Sequence, residues 1–164
     1  MEIKVLKKNM TPDIIEAIID IDKEFYLNFD YKNEKSWYYH RYTDKNEAFC
    51  LYVDDKMVGY FIYYRISKML FDQILGLKYE GDYYFPESEI NVKSNYFYMP
   101  SVLVAKEYRI YSVPLLRRLI VESAKKDHQV VITVSREGQR LAEGKLAYIG
   151  DVNKAKNIKV YAKI

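Results

Sequence analysis

The chain is poor in the residues that build disulfide and metal chemistry. Its one cysteine, Cys50, excludes an intramolecular disulfide and a Cys-rich metal cluster. Two histidines, His40 and His128, are too few for the usual His-based zinc site, and none is expected. No apolar run reaches the roughly 18 residues that a membrane-spanning helix needs. There is no Walker motif and no G-x-G-x-x-G among the six glycines. The opening MEIKVLKKNM lacks the apolar stretch of a signal peptide, so the cytosol is the expected compartment. Neither sign of charge dominates. The 26 basic and 23 acidic side chains give a net charge of +3 and are interspersed. No element collects the basic ones, so a nucleic-acid partner is not favoured.

What remains is enough for a core. The 164 residues are 49% hydrophobic, which fits one domain over 1–164 and excludes bulk disorder. Tyrosine is abundant: eighteen, against seven phenylalanines and one tryptophan. Tyrosine joins flat apolar area to a polar tip, which suits clefts and half-wet surfaces. A compositional bias of the whole proteome gives the same count.

Alternation in EIKVLK (2–7) predicts a first strand, and Thr11-Pro12 opens a helix. Ile14, Ile15, Ile18, Ile19, Asp22, Phe25 and Tyr26 follow at helical spacing, which predicts about four turns. SWYYHRY (36–42) reads as a second short helix whose aromatics pack inward or wall a substrate cleft. AFCLYV, Asp54-Asp55-Lys56 and MVGYFIYYRI predict an antiparallel hairpin, with a bulge at Gly59. Residues 67–95 read as an excursion between strands, with one or two helical turns at its start. YFYMPSVLVA (96–105) is a strand that Pro100 must break, bulge or leave unpaired. Residues 113–126 form an amphipathic helix with Leu115, Leu116, Leu119, Ile120 and Ala124 inward. QVVITV (129–134) is a strand, SREGQRLAEGKLAYIG a turn and a helix closing near Gly150, and IKVYAKI a last strand with Ile158, Val160, Ala162 and Ile164 inward. The crossover helix between 96–105 and 129–134 makes that pair parallel, so the sheet is mixed and helices flank it. The fold class is α/β (α+β).

Chemistry concentrates in VLVAKEYRIYSVPLLRR (102–118). A strand ends at Ala105, a basic turn follows, and a helix opens near Ser112. Free N–H groups at a helix start attract phosphates, and Arg109 can close over one with a forked contact. Ordinary capping beside a solvated arginine uses the same residues.

In element order this chain resembles the Gcn5-related N-acetyltransferases, the GNAT superfamily, over nearly its whole length. The specific part is Val104, Glu107, Tyr108 and Arg109, matching a strand that ends in Val and a Pro-Glu-Tyr-Arg-like turn. A second part is QRLAEGKLAYIG, where Ala142 and Gly150 hold the family's places. The departures are specific too. Ser112 and Pro114 stand for the signature glycines, and proline has no N–H to offer. Gln139 stands where Asn is common, Leu146 where a proton-donating tyrosine is frequent, and Asp151 where an apolar residue is usual.

The resemblance implies acetyl-coenzyme A in a gap between 96–105 and 129–134. Leu103 and Val104 would pair with the pantetheine arm, and the amides of Arg109, Ile110, Tyr111, Ser112 and Val113 would hold the pyrophosphate. Gln139 would complete the cofactor set. A primary amine of a small molecule or peptide would attack the thioester. Tyr148 is the expected general acid, with Tyr98 a second candidate on the acceptor side. The resemblance also allows a homodimer formed by pairing the last strands. A catalytically silent module of the same fold, binding a ligand or a partner, is the alternative implied by Leu146, Pro114 and the missing glycines.

Overall fold

The computed structural model describes residues 1–43 and 45–164. They form two compact units, one of residues 1–63 with 101–121, the other of residues 64–100 with 122–164.

The first unit begins with β1 (Ile3–Lys8), α1 (Pro12–Asp22) and α2 (Tyr31–Arg41). Thr11 precedes Pro12 as expected, but α1 stops at Asp22, and Phe25 and Tyr26 lie in the turns beyond it. The second helix starts earlier than its aromatic run. Asp30 caps it, accepting the Asn33 N–H at 3.2 Å, so polar NEK joins the helix. β2 (Glu47–Val53) and β3 (Lys56–Ile66) form the hairpin. Its two-residue turn holds Asp54 and Asp55 at φ 48° and 65°, the left-handed pair that matches strand twist. The register slips where Leu51 faces Gly59 but Tyr52 faces Met57, so Val58 is the bulged residue beside Gly59. β5 (Val102–Val104) adds antiparallel to β3, giving the order β1-β2-β3-β5. A 3-10 helix (Lys106–Tyr111) then leads into α4 (Val113–Ala124).

Ile15, Ile18, Ile19, Cys50, Tyr60 and Ile62 lie at the centre of this unit's core. Each buried Ile contributes about 1.5–3 kcal/mol relative to an exposed one. Cys50 is part of the packing, and burial pushes its thiol up to about 12.

In the second unit the end of β3 pairs with β4 (Tyr96–Tyr98), which runs parallel to β6 (His128–Thr133). β8 (Ile158–Lys163) follows, then β7 (Ala147–Asn153), so the order is β3-β4-β6-β8-β7. Pro100 therefore breaks the expected strand 96–105 into β4 and β5, because proline cannot donate to a ladder. α3 (Lys68–Leu75) opens the 67–95 stretch and buries Leu70, Phe71 and Ile74, while Phe85 and Ile90 later in it are also core residues.

Expectations for three elements are corrected. The helix of 136–143, α5 (Arg136–Glu143), closes at Gly144, and Ala147–Asn153 is a strand. Gly150 sits in that strand because a Cβ there would stand 2.8 Å from Leu77 Cδ1. In β8, Tyr161 is buried with its hydroxyl donating to Glu143 at 3.0 Å, while Ile164 is exposed. β8 has a neighbour on each side, so it offers no free edge to a twin. On α4 the buried stripe is Leu115, Leu119, Glu122 and Ser123, leaving Ile120 at 51% exposure and Ala124 outside. Among the described residues no helix is long and apolar enough to cross a membrane.

Candidate functional site

β5 is the strand on which the site is built. In an antiparallel ladder, successive residues turn their backbone groups to opposite edges. Ile62 N–H donates to the Ser101 carbonyl at 3.4 Å, and Ala105 N–H donates to the Val58 carbonyl at 2.8 Å. Leu103 lies between them, opposite Tyr60, and also faces β3. Val102 and Val104 therefore turn their N–H and C=O groups to the other edge. Within its unit β5 pairs with β3 alone. Of the two residues expected to hold an extended ligand, Val104 turns its backbone groups to the outer edge and Leu103 turns its own to β3. Val102 also faces the outer edge, which sequence reasoning missed because the register was unknown.

The two strands approach closely at Gly59. A Cβ there would meet Val104 Cγ2 at 2.9 Å and the Leu103 carbonyl oxygen at 3.0 Å.

The basic turn is a 3-10 helix, in which each N–H turns toward the carbonyl three residues back. Tyr108 N–H donates to Ala105, and Ser112 N–H donates to Arg109 at 3.1 Å. Glu24 caps the start, its carboxylate accepting the Lys106 N–H at 3.0 Å. Ser112 has helical dihedrals, φ −68° and ψ −19°, and its carbonyl accepts the first bond of α4, from Leu116 N–H. The amides of Arg109, Ile110, Tyr111 and Ser112 are thus turned inward along the 3-10 helix. Pro114 has none. Helix geometry leaves the amides of Val113 and Leu115 without an acceptor inside α4. The anion-binding donors at this mouth are therefore fewer than the sequence suggested.

Side chains add charge here. Arg109 is exposed, and its guanidinium lies 5.3 Å from the Phe25 ring centroid. Glu107 pairs with Lys56 at 3.5 Å, and Lys56 also lies 5.3 Å from the Tyr108 ring centroid. These three bound an open cleft of about 470 Å³ between the hairpin turn and the 3-10 helix, lined also by Asp54 and Tyr111. Ile110 and Val113 are exposed at 77% and 49%.

The same unit holds a polar cluster in its core. Asp22 is buried at 3% exposure. Its carboxylate accepts the Tyr38 hydroxyl at 2.7 Å and the Tyr60 hydroxyl in a short contact. Burial first, and then the Asp22 charge, pushes both phenols well above their ordinary value, so each keeps its proton. Ser101 Oγ lies 3.2 Å from the Tyr60 oxygen. Around it, Phe29, Trp37, Tyr38 and Tyr42 pack edge to face with centroids 5.1–6.1 Å apart. The aromatic run of α2 is thus largely core, with Tyr39 outside on Glu16. Sequence reading placed Asp22 on the apolar stripe of α1 without asking why an acid should be there. That was the available signal.

The remaining candidates belong to the second unit. Tyr98 is buried, packed against Tyr64 and Phe85. Tyr148 is exposed at 53%, and its hydroxyl donates to Asp151 at 2.8 Å. That hydrogen bond, followed by partial desolvation and the Asp151 charge, raises the phenol above its ordinary value. Gln139 is buried and donates to the Asn157 carbonyl at 2.8 Å, so its amide fastens α5 to the turn before β8. Leu146 and Ala142 are buried.

No protein-family model matches the chain. No curated protein matches it either. Solved structures do. An acetyltransferase of the GNAT family from Streptococcus agalactiae aligns with TM-score 0.60 at 16% identity, covering 98% of this chain and 95% of its own. The loading GNATL domain of CurA from Lyngbya majuscula aligns with TM-score 0.62 at 13% identity, covering 97% and 96%. PaiA N-acetyltransferase from Thermoplasma acidophilum, solved in complex with coenzyme A, aligns with TM-score 0.54 at 10% identity, covering 99% of each chain. Aligned nearly end to end with these proteins, the chain carries the fold of the GNAT acetyltransferases.

Proposed function

We propose that the protein is an N-acetyltransferase that moves an acetyl group from acetyl-coenzyme A to the primary amine of a small molecule or peptide. The observation that carries this reading is the edge of β5. Val102 and Val104 turn backbone donors and acceptors away from β3, and the chain then enters a basic turn and a helix N-terminus. This order of parts fits an extended amide-bearing arm followed by a pyrophosphate. Val104 and Val102 would hold the arm. The amides of Val113 and Leu115, with the Arg109 guanidinium swung off Phe25, would hold the phosphates.

Acetyl-coenzyme A supplies an activated carbonyl. The chain's own task is to orient the amine, take its proton and return one to the leaving sulfur. Tyr148 suits the last step, because its hydroxyl is exposed and Asp151 keeps it protonated. Tyr98, enclosed between Tyr64 and Phe85, shapes the core beneath β4. Gln139 serves α5, given its bond to Asn157.

A second reading is a domain that binds a ligand without turnover. Two observations favour it: the inward-turned amides of residues 109–112 and the buried Leu146 in place of a tyrosine. One experiment separates the two. The protein is incubated with acetyl-coenzyme A and a set of primary amines, and free coenzyme A thiol is followed. Thiol release that depends on both enzyme and amine supports the transferase. Stabilisation by acetyl-coenzyme A without release supports the silent domain.

A further inference from the structure

The core of the first unit holds a buried acid that its packing does not require. Asp22 stands on the apolar stripe of α1 between Ile18 and Ile19 on one side and the turn at Phe25 on the other. An aliphatic residue there would satisfy the stripe. Burying a carboxylate costs free energy unless hydrogen bonds offset it, and here tyrosines from two other elements do so. Tyr38 reaches it from α2 and Tyr60 from β3. Tyr26, Tyr31 and Tyr42 also act electrostatically on these phenols.

The cluster reaches β5 through Tyr60. Tyr60 pairs in register with Leu103 of β5, and its hydroxyl oxygen lies 3.2 Å from Ser101 Oγ. The single Tyr60 proton is held by Asp22, so at that contact the serine donates. Ser101 is half-buried and immediately precedes Val102. Along β5 the order away from the helix mouth is Val104, Val102, Ser101. An arm held by Val104 and Val102, with phosphates at Val113, thus ends its reacting group near Ser101.

We propose that Ser101, Tyr60 and Asp22 form a proton path that drains the attacking amine and ends on the Asp22 carboxylate. The proposal rests on the acetyltransferase reading above. As the amine nitrogen bonds to the acetyl carbon, its N–H proton passes to the Ser101 oxygen. The Ser101 proton passes to the Tyr60 oxygen, and the Tyr60 proton to Asp22, which becomes neutral. The carbon–sulfur bond breaks, and the thiolate takes a proton from solvent. Asp22 releases its proton by the same path. Ser101 touches the reacting amine; Tyr60 and Asp22 act through it.

The test uses the full chain with acetyl-coenzyme A and three probe acceptors: 1,3-diaminopropane, lysinamide and hydroxylamine. Ser101→Ala removes the outer hydroxyl without opening the core. It is expected to lower kcat about a hundredfold or more, within the range of general-base contributions, with the KM for acetyl-coenzyme A unchanged. Ser101→Thr, which keeps a hydroxyl, is expected to restore most of the rate. A readout without turnover is the proton NMR signal of the Tyr60 hydroxyl, identified by its loss in Tyr60→Phe. It should move in Ser101→Ala while the Tyr38 hydroxyl signal stays in place. A Ser101→Ala enzyme with wild-type kcat, or an unmoved Tyr60 signal, overturns the path alone. A wild-type protein that turns over none of the three acceptors overturns the path and the acetyltransferase reading together.

Discussion

Ser112 gives its backbone N–H to the Arg109 carbonyl at 3.1 Å. This one bond closes the end of the 3-10 helix and takes a donor from the mouth of α4. Charge on side chains then has to carry more of any phosphate contact. Arg109 is the residue with that charge, stacked meanwhile on Phe25. Arg109→Ala is expected to weaken acetyl-coenzyme A binding about tenfold, the size of one charge-assisted hydrogen bond, and to leave the melting temperature of the free protein nearly unchanged. Isothermal titration calorimetry beside a thermal melt checks both halves.

Gly59 is where the site's strand is pressed against its neighbour. An added methyl would meet the Leu103 carbonyl oxygen, a backbone atom that cannot rotate away, as well as Val104. Gly59→Ala should therefore destabilise the protein by about 1–3 kcal/mol, read from denaturant unfolding. It should also reduce acetyl-coenzyme A affinity, because the displaced strand is the one that presents Val102 and Val104.

Lys145 gives a pH-dependent prediction. Burial pushes its ammonium down to about 8 from 10.5. Between those values the unfolded chain binds a proton that the folded chain does not, so stability rises with pH across this window. Below about pH 8 the cost of the buried charge is fully present. Lys145→Met should raise the melting temperature at pH 7, and the gain should shrink as pH climbs from 8 toward 10.5. Melting curves of both proteins across that range test the sign.

Tyr148→Phe should lower turnover while leaving acetyl-coenzyme A affinity in place. Asp151 raises the Tyr148 phenol, so Asp151→Asn should let it ionise at lower pH. The loss of rate on the alkaline side should then begin earlier in that variant than in the wild type. Rate profiles at alkaline pH for the two proteins decide it.

The hairpin, the start of α1 and the parallel pairing of β4 with β6 were legible because each has a strong local signal: an acidic turn, Thr-Pro, a long crossover. α3 was legible only as one or two helical turns at the start of the 67–95 excursion. β7 was not. Its residues AYIGDVN carry glycine and aspartate, and only pairing with β8 and the close approach of Leu77 make them a strand. The stripe of α4 was misjudged because Ile120 is apolar yet half exposed, while Glu122 is polar yet buried.

For the candidate site, the strand–basic turn–helix pattern singled out 102–118 but could not say which backbone groups face outward. That depends on the alternation fixed by Ile62–Ser101 and Ala105–Val58. Nor could it show that residues 106–111 wind into a 3-10 helix. The Asp22 cluster joins residues from distant parts of the chain, and only the acid on an apolar stripe hinted at it.

The central claim is that β5 and the mouth of α4 bind acetyl-coenzyme A. Thermal unfolding with and without the cofactor tests it directly. Ligand at a hundred times its dissociation constant stabilises by about 2.7 kcal/mol, a shift of several degrees at this chain length. The account predicts such a shift in the wild type and a smaller one in Val104→Pro, which removes an outward N–H that β3 does not use. No shift at millimolar acetyl-coenzyme A, or the same shift in both proteins, would contradict it.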